Sequence, residues 1–126
     1  MDKKEIRVYI ASPYKNGVMT LNVRLQMETA DKLIGLGYYP FVPLYCHFQQ
    51  IMFPRTEQDW LALDIPWVKV CDALLRLKPT LDDKEIYSYG ADLEEQTAKD
   101  NKIPVFYSIE ELDEYFNPKN PMKFYK

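Results

Sequence analysis

Two acids carry most of the chemical potential of this sequence. Glu94 follows a small-residue turn in the spacing Ser88-x-Gly90-x-x-x-Glu94. Asp64 shares a helical stripe with Trp60, Trp67, Val68 and Cys71. Winding residues 91–101 at about 100° per residue puts Asp92, Glu95, Gln96, Lys99 and Asp100 on one arc with Lys102. Ala91, Leu93, Thr97, Ala98 and Asn101 fall on the other arc, with Glu94 in its middle. An inward-facing carboxylate costs stability unless it is paired or used. Two carboxylates on opposite sides of one cleft suit glycosyl transfer: one attacks the anomeric carbon or stabilises its positive charge, and the other manages the leaving group's proton. The amino end of its helix would help to keep Glu94 ionised. Each acid also has a structural alternative. Glu94 would form a salt bridge or bind backbone amides at a helix start, and Asp64 would cap a segment beginning at Pro66.

Around these acids stand residues suited to holding a substrate. Ser88 and Gly90 at a helix start either bind a phosphate or carboxylate through free N–H groups or form an ordinary N-cap and turn. Ser12, Pro13 and Tyr14, after the first strand, would wall a pocket. Tyr9 would hydrogen-bond an acid or simply pack. His47, the sole histidine, is a candidate substrate contact, and Tyr14, Tyr45 and Phe48 are candidates for stacking on a flat ring. Asp72, at the amino end of a strand, reads as structural, and Asp92 as solvated.

Positioning these groups requires alternating elements. Ile6-Arg7-Val8-Tyr9-Ile10-Ala11 predicts a strand stopped by Ser12-Pro13. A helix is expected from about residue 20 to 36, ending at Gly37 in a left-handed cap. Residues 39–42 form a short strand whose Pro40 suggests an outer position. Residues 43–56 read as an aromatic loop, and residues 57–70 as a helix in which Pro66 forces a kink or restart. Residues 72–77 make a third strand and residues 78–87 a polar loop. The Glu94 helix, a strand over 103–107 and a last helix opened by the capping box Ser108-Ile109-Glu110-Glu111 complete the pattern. The alternation predicts an α/β fold: a Rossmann-like or flavodoxin-like three-layer sandwich on a four- to five-stranded parallel sheet. Residues 1–116 form one domain, and the polar, aromatic tail 117–126 would dock on a partner subunit. Ligands of such sheets bind beyond the strands' carboxyl ends. Residues 12–17, 43–56 and 88–94 would converge there.

Composition narrows the function. The chain has 126 residues, 47% of them hydrophobic and 28% charged, enough for a core. A net charge of -3 argues against a nucleic acid polymer as partner. No apolar run nears the roughly 20 residues that span a bilayer, and Met1-Asp2-Lys3-Lys4-Glu5 has no signal character, so no membrane is expected. Cys46 and Cys71 match no metal spacing and read as free thiols of a reducing cytoplasm. With one histidine, no metal site is expected.

Four ordered signatures resemble the nucleoside 2-deoxyribosyltransferases and their relatives, the 2′-deoxynucleoside 5′-phosphate N-hydrolases. They are Tyr9-Ile10-Ala11-Ser12-Pro13-Tyr14; Gly37 with Pro40 and Pro43; Asp64-x-x-Trp67-x-x-x-x-Asp72; and Ser88-x-Gly90-x-x-x-Glu94 followed by Ala98 and Ile103-Pro104-Val105. The resemblance spans roughly residues 6–107 and is strongest to a small bacterial and phage branch with the Tyr-Ile-Ala-Ser-Pro-Tyr start. It implies that Glu94 is a nucleophile at C1′, that Asp64 assists the base or positions substrate, that Tyr9 orients Glu94, and that Ser88 and Gly90 hold a 5′-phosphate. Trp67 belongs with the substrate-binding set. Such enzymes need no cofactor or metal, are homo-oligomers (dimers or tetramers), and complete their sites across a subunit interface. The hydrolases carry a Gly/Arg-rich loop where this chain has Pro13-Tyr14-Lys15-Asn16-Gly17, which leaves Lys15 as the phosphate ligand. The expected function is cleavage or transfer of an N-glycosidic bond of a nucleoside or nucleoside 5′-monophosphate. The alternative is a non-catalytic nucleotide-binding module.

Overall fold

In the computed structural model, which describes residues 5–116, four parallel strands lie in the order β2-β1-β3-β6. They are β1 (Arg7–Ala11), β2 (Tyr39–Phe41), β3 (Ala73–Arg76) and β6 (Val105–Phe106). Helices α1 (Met19–Gly35) and α5 (Ile109–Phe116) cover one face, and α3 (Glu57–Val68) and α4 (Tyr89–Asp100) cover the other. This is the three-layer α/β fold read from the sequence, with four strands. The tail 117–126 lies outside the described residues.

Strand parity builds the two cores. Val8 and Ile10 face α1 and α5 with Ala73 and Leu75. Tyr9, Ala11 and Leu74 face α3 and α4. Successive strand residues point to opposite faces, so a nearly continuous apolar run fills both layers. The register sets Tyr9 beside Leu74 and Ala11 beside Arg76. Arg76 therefore shares the α3/α4 face with Tyr9. Helix α1 gives way to Gly37, whose φ of 92° is open to glycine at little cost.

Several local expectations need correction. The aromatic stretch 43–56 is not a plain loop: it holds a 3₁₀ turn, Pro43–Tyr45, and helix α2 (Cys46–Met52). The polar stretch 78–87 folds into a hairpin of β4 (Thr80–Leu81) and β5 (Lys84–Glu85). Asp82 and Asp83 at its tip both take positive φ, the geometry of a tight hairpin turn that aspartate tolerates. Helix α3 runs through Pro66 to Val68, so Asp64 is an interior helix residue and not a cap. The cap of α3 is Thr56, whose side chain accepts from the Asp59 amide. Among the described residues no helix is long and apolar enough to cross a membrane.

Candidate active site

The loops after β1 and β3 meet where the strand order reverses, the usual ligand crevice of such sheets. A cavity of about 330 Å³ opens there, lined by Asp64 and Glu94. Asp64 comes from the middle of α3, on a stripe with half-buried Trp60 and buried Val68. Glu94 comes from the second turn of α4, flanked by buried Ala91 and Ala98. The two acids reach one cavity because α3 and α4 pack side by side over the same sheet face. Gly90 permits that approach: a Cβ there would stand 3.3 Å from Leu61 Cδ2.

Tyr9 lies behind Glu94. It is fully buried on β1, and its hydroxyl donates to Glu94 Oε2. Burial is the main influence on all three groups. It pushes the Glu94 carboxyl up to about 8; the Tyr9 hydrogen bond and Arg76 pull it down, and Asp64 pushes it further up. Burial pushes Asp64 up to about 6. Tyr9 is raised by burial and by the charges of Glu94 and Asp64, and stays a phenol. The helix dipole favours ionised Glu94, but desolvation by burial outweighs it.

The loop of residues 12–17 forms a second wall, to which Ser12, Tyr14, Lys15 and Asn16 contribute. Buried Asn22 of α1 holds the loop by donating to the carbonyls of Tyr14 (3.0 Å) and Asn16 (2.7 Å). Asn16 in turn donates to the Tyr87 carbonyl at 2.8 Å. Gly17, at φ 80°, lets Ile86 approach to 2.8 Å of where a Cβ would stand. Behind Ser12, Gln26 donates to its hydroxyl at 2.8 Å and to the Ile10 carbonyl, and accepts from the Leu44 amide.

Ser88 and Gly90 both line the cavity. The Ser88 hydroxyl accepts from the Ala91 amide at 3.1 Å, so its side chain acts as the N-cap. The first-turn amides of Tyr89 and Gly90 have no intrahelical carbonyl to bind, which leaves donors for an anion. Lys15 is the one cation among the described lining residues, against the acids Glu57, Asp64 and Glu94.

Other proposed contacts lie elsewhere. Trp67 does not line the cavity; it is 48% exposed and closes a stack of Tyr9, Phe41 and Trp67 with ring separations of 5.3 and 5.2 Å. Pro13 is buried under the loop and His47 stands behind the wall, its Nδ1 2.7 Å from the Tyr14 hydroxyl. Tyr45 and Phe48 point to solvent. The aromatic lining consists of Tyr14, Trp60, Tyr87 and Tyr89. Trp60 was visible on the Asp64 stripe, whereas Tyr87 and Tyr89 flank Ser88 and carried no helical pattern of their own. Asp72 is structural as expected, accepting from the Arg7 amide at 2.8 Å. Asp92 is not simply solvated, because its Oδ1 pairs with Arg76 Nη1 at 2.7 Å.

No family model matches the sequence, and no curated protein does. Among solved structures, the chain is similar to a 2-deoxyribosyltransferase from the psychrotolerant bacterium Bacillus psychrosaccharolyticus. The TM-score is 0.55 at 19% identity, covering 79% of this chain and 69% of that one. At this identity the likeness establishes the shared fold.

Proposed function

We propose that this protein cleaves or transfers the N-glycosidic bond of a nucleoside or nucleoside 5′-monophosphate, with Glu94 as nucleophile and Asp64 as proton manager. The observation that carries the reading is the convergence of the two acids on one cavity, with the Tyr9 hydroxyl on Glu94. The 2-deoxyribosyltransferase neighbour supports a nucleoside as the substrate class.

The protonation of the pair fits the chemistry. With Asp64 near 6 and Glu94 near 8, the two carboxyls share one proton at neutral pH, and they titrate as a pair. Moving that proton from Glu94 to Asp64 costs about 3 kcal/mol, for two pH units. It yields a carboxylate nucleophile and a carboxylic acid. Glu94 then bonds to C1′, the C1′–N bond breaks, and the departing base takes the proton from Asp64. In the second half, water or another base attacks C1′, the ester to Glu94 breaks, and the proton returns to Asp64. The Tyr9 hydroxyl orients Glu94 and stabilises its carboxylate before attack and as it leaves C1′.

The α4 amides of Tyr89 and Gly90 with Lys15 bind the anionic or hydroxylated end of the sugar. Tyr14, Trp60, Tyr87 and Tyr89 offer ring faces to the base. The protein needs no cofactor, works in the cytoplasm, and acts as a homo-oligomer that covers exposed apolar side chains such as Phe48, Ile51, Phe53, Leu63 and Trp67. A chromatographic screen for free base over a panel of nucleosides and 5′-monophosphates tests the activity. Base release by the wild type and none by Glu94→Gln is the expected result. Tight nucleotide binding without release of any base would make the protein a binding module instead.

A further inference from the structure

We propose that Arg76 is a positioning residue that sets the charge of Glu94 from beneath α4. Among the described residues Arg76 is the one buried cation, 2% exposed at the carboxyl end of β3. A guanidinium is rarely buried without a partner. Its Nη1 meets Asp92 Oδ1 at 2.7 Å and Glu95 Oε1 at 3.1 Å, the residues two before and one after Glu94 on the same helix. Its Nε is buried with no hydrogen-bond partner. Strand register makes Arg76 and Tyr9 diagonal neighbours on one sheet face, so both approach α4 from adjacent strands.

The charged and titratable groups around Glu94 are Tyr9 from β1, Cys46 from α2, Asp64 from α3 and Arg76 from β3. Asp92, Glu95 and Lys99 share its helix. Cys46, its thiol pushed up to about 11 chiefly by burial, stays neutral, while Asp64 opposes a negative charge on Glu94. Tyr9 favours it by hydrogen bonding, and Arg76 favours it by charge. Glu95 is already engaged by Lys99 at 2.8 Å and by the Tyr107 hydroxyl at 2.6 Å. Asp92, the closer partner, is 55% exposed and its charge is screened by water, so, with Glu95 shared, part of the guanidinium's field reaches Glu94.

The inference takes the importance of Glu94 from the reading above, but its test reads the carboxyl directly and needs no substrate. The ¹³C chemical shift of the Glu94 carboxyl, assigned by its absence in Glu94→Gln, is followed against pH in full-length protein. Arg76→Met removes the charge at similar volume; Asp92, 55% exposed, keeps its water, and Glu95 keeps Lys99 as a partner. Its expected effect is a Glu94 midpoint higher by about one pH unit, while Arg76→Lys stays within about 0.3 unit of wild type. Should Arg76→Met not fold, Arg76→Gln makes the same charge change. An unchanged or lowered midpoint in the uncharged variant overturns the proposal. Equal downward movement in the Lys and Met variants does so too, because it means that Arg76 only clamps α4 and its loss lets water reach Glu94. Loss of turnover with an unmoved midpoint would overturn this inference and leave the role of Glu94 intact. A shifted midpoint in a protein that releases no base would do the reverse.

Discussion

Glu94→Gln should make the protein more stable in alkali. The Glu94 carboxyl is held at about 8 in the folded chain against an ordinary value of 4.5. Between those values the folded state keeps a proton that the unfolded state has lost. The stability contributed by protonated Glu94 is therefore complete below about pH 4.5 and lost as pH rises through about 8. Three and a half pH units at about 1.36 kcal/mol each sets the loss at about 5 kcal/mol, or about 3–5 allowing for relaxation around the ionised group. Glutamine is nearly isosteric, carries no charge and can still accept from the Tyr9 hydroxyl. At pH 5 the variant should lie within about 1 kcal/mol of wild type. At pH 9 it should lead by most of the 3–5 kcal/mol, which for a domain of this size is a difference in melting temperature of about 10–20 °C. Asp64, raised from 3.8 to about 6, adds a pH dependence at lower pH that both proteins share. Thermal unfolding from pH 5 to 9, followed by circular dichroism, measures the gap. Parallel curves, or a variant less stable than wild type at pH 9, would show that Glu94 is not a buried carboxyl with a raised midpoint.

Tyr9→Phe removes a hydrogen bond that favours the charged form, so the Glu94 midpoint should rise and the alkaline limb of kcat/KM, where the pair loses its shared proton, should move to higher pH. A loss of about 10–100-fold at neutral pH is expected, in line with a hydrogen bond to a charged group. Trp67→Ala should cost about 1 kcal/mol of stability through the lost stack on Phe41 and leave KM within about twofold, because Trp67 stands outside the cavity. A large rise in KM in a steady-state assay would return it to the binding site. Lys15→Ala should weaken binding of a 5′-monophosphate by about tenfold, near 1.4 kcal/mol, while leaving the nucleoside unaffected. Calorimetric titration of both ligands makes that comparison.

The helical wheel of α4 was legible because its arcs are separated by chemistry: Ala91, Glu94 and Ala98 are buried, and Asp92, Gln96, Lys99 and Asp100 are exposed. Gly37 and the capping Ser108 were legible for the same local reason: one residue's geometry decides each. Asp64 was correctly placed on an inward stripe, but its neighbour Trp67 was not. Helical spacing places a side chain only within a broad arc, and Trp67 turns to Phe41 at the arc's edge. The 78–87 hairpin was missed because Asp-Asp is a weaker turn signal than Asn-Gly. Arg76 carried no signal at all. A charged residue ending a strand reads as an exposed edge, and it is buried here only because the acidic arc of α4 lies over it. Such a contact between β3 and α4 joins residues 16 and 19 positions apart, and no local pattern encodes it.

The central claim is that Glu94 bonds to C1′. The direct measurement is the intact mass of the protein, acid-quenched during turnover of a nucleoside or 5′-monophosphate that releases base, followed by peptide mapping. The account predicts an added mass of one sugar unit, confined to the peptide bearing Glu94 and absent from Glu94→Gln. Base release with no adduct in wild type, undiminished in Glu94→Gln, would contradict it.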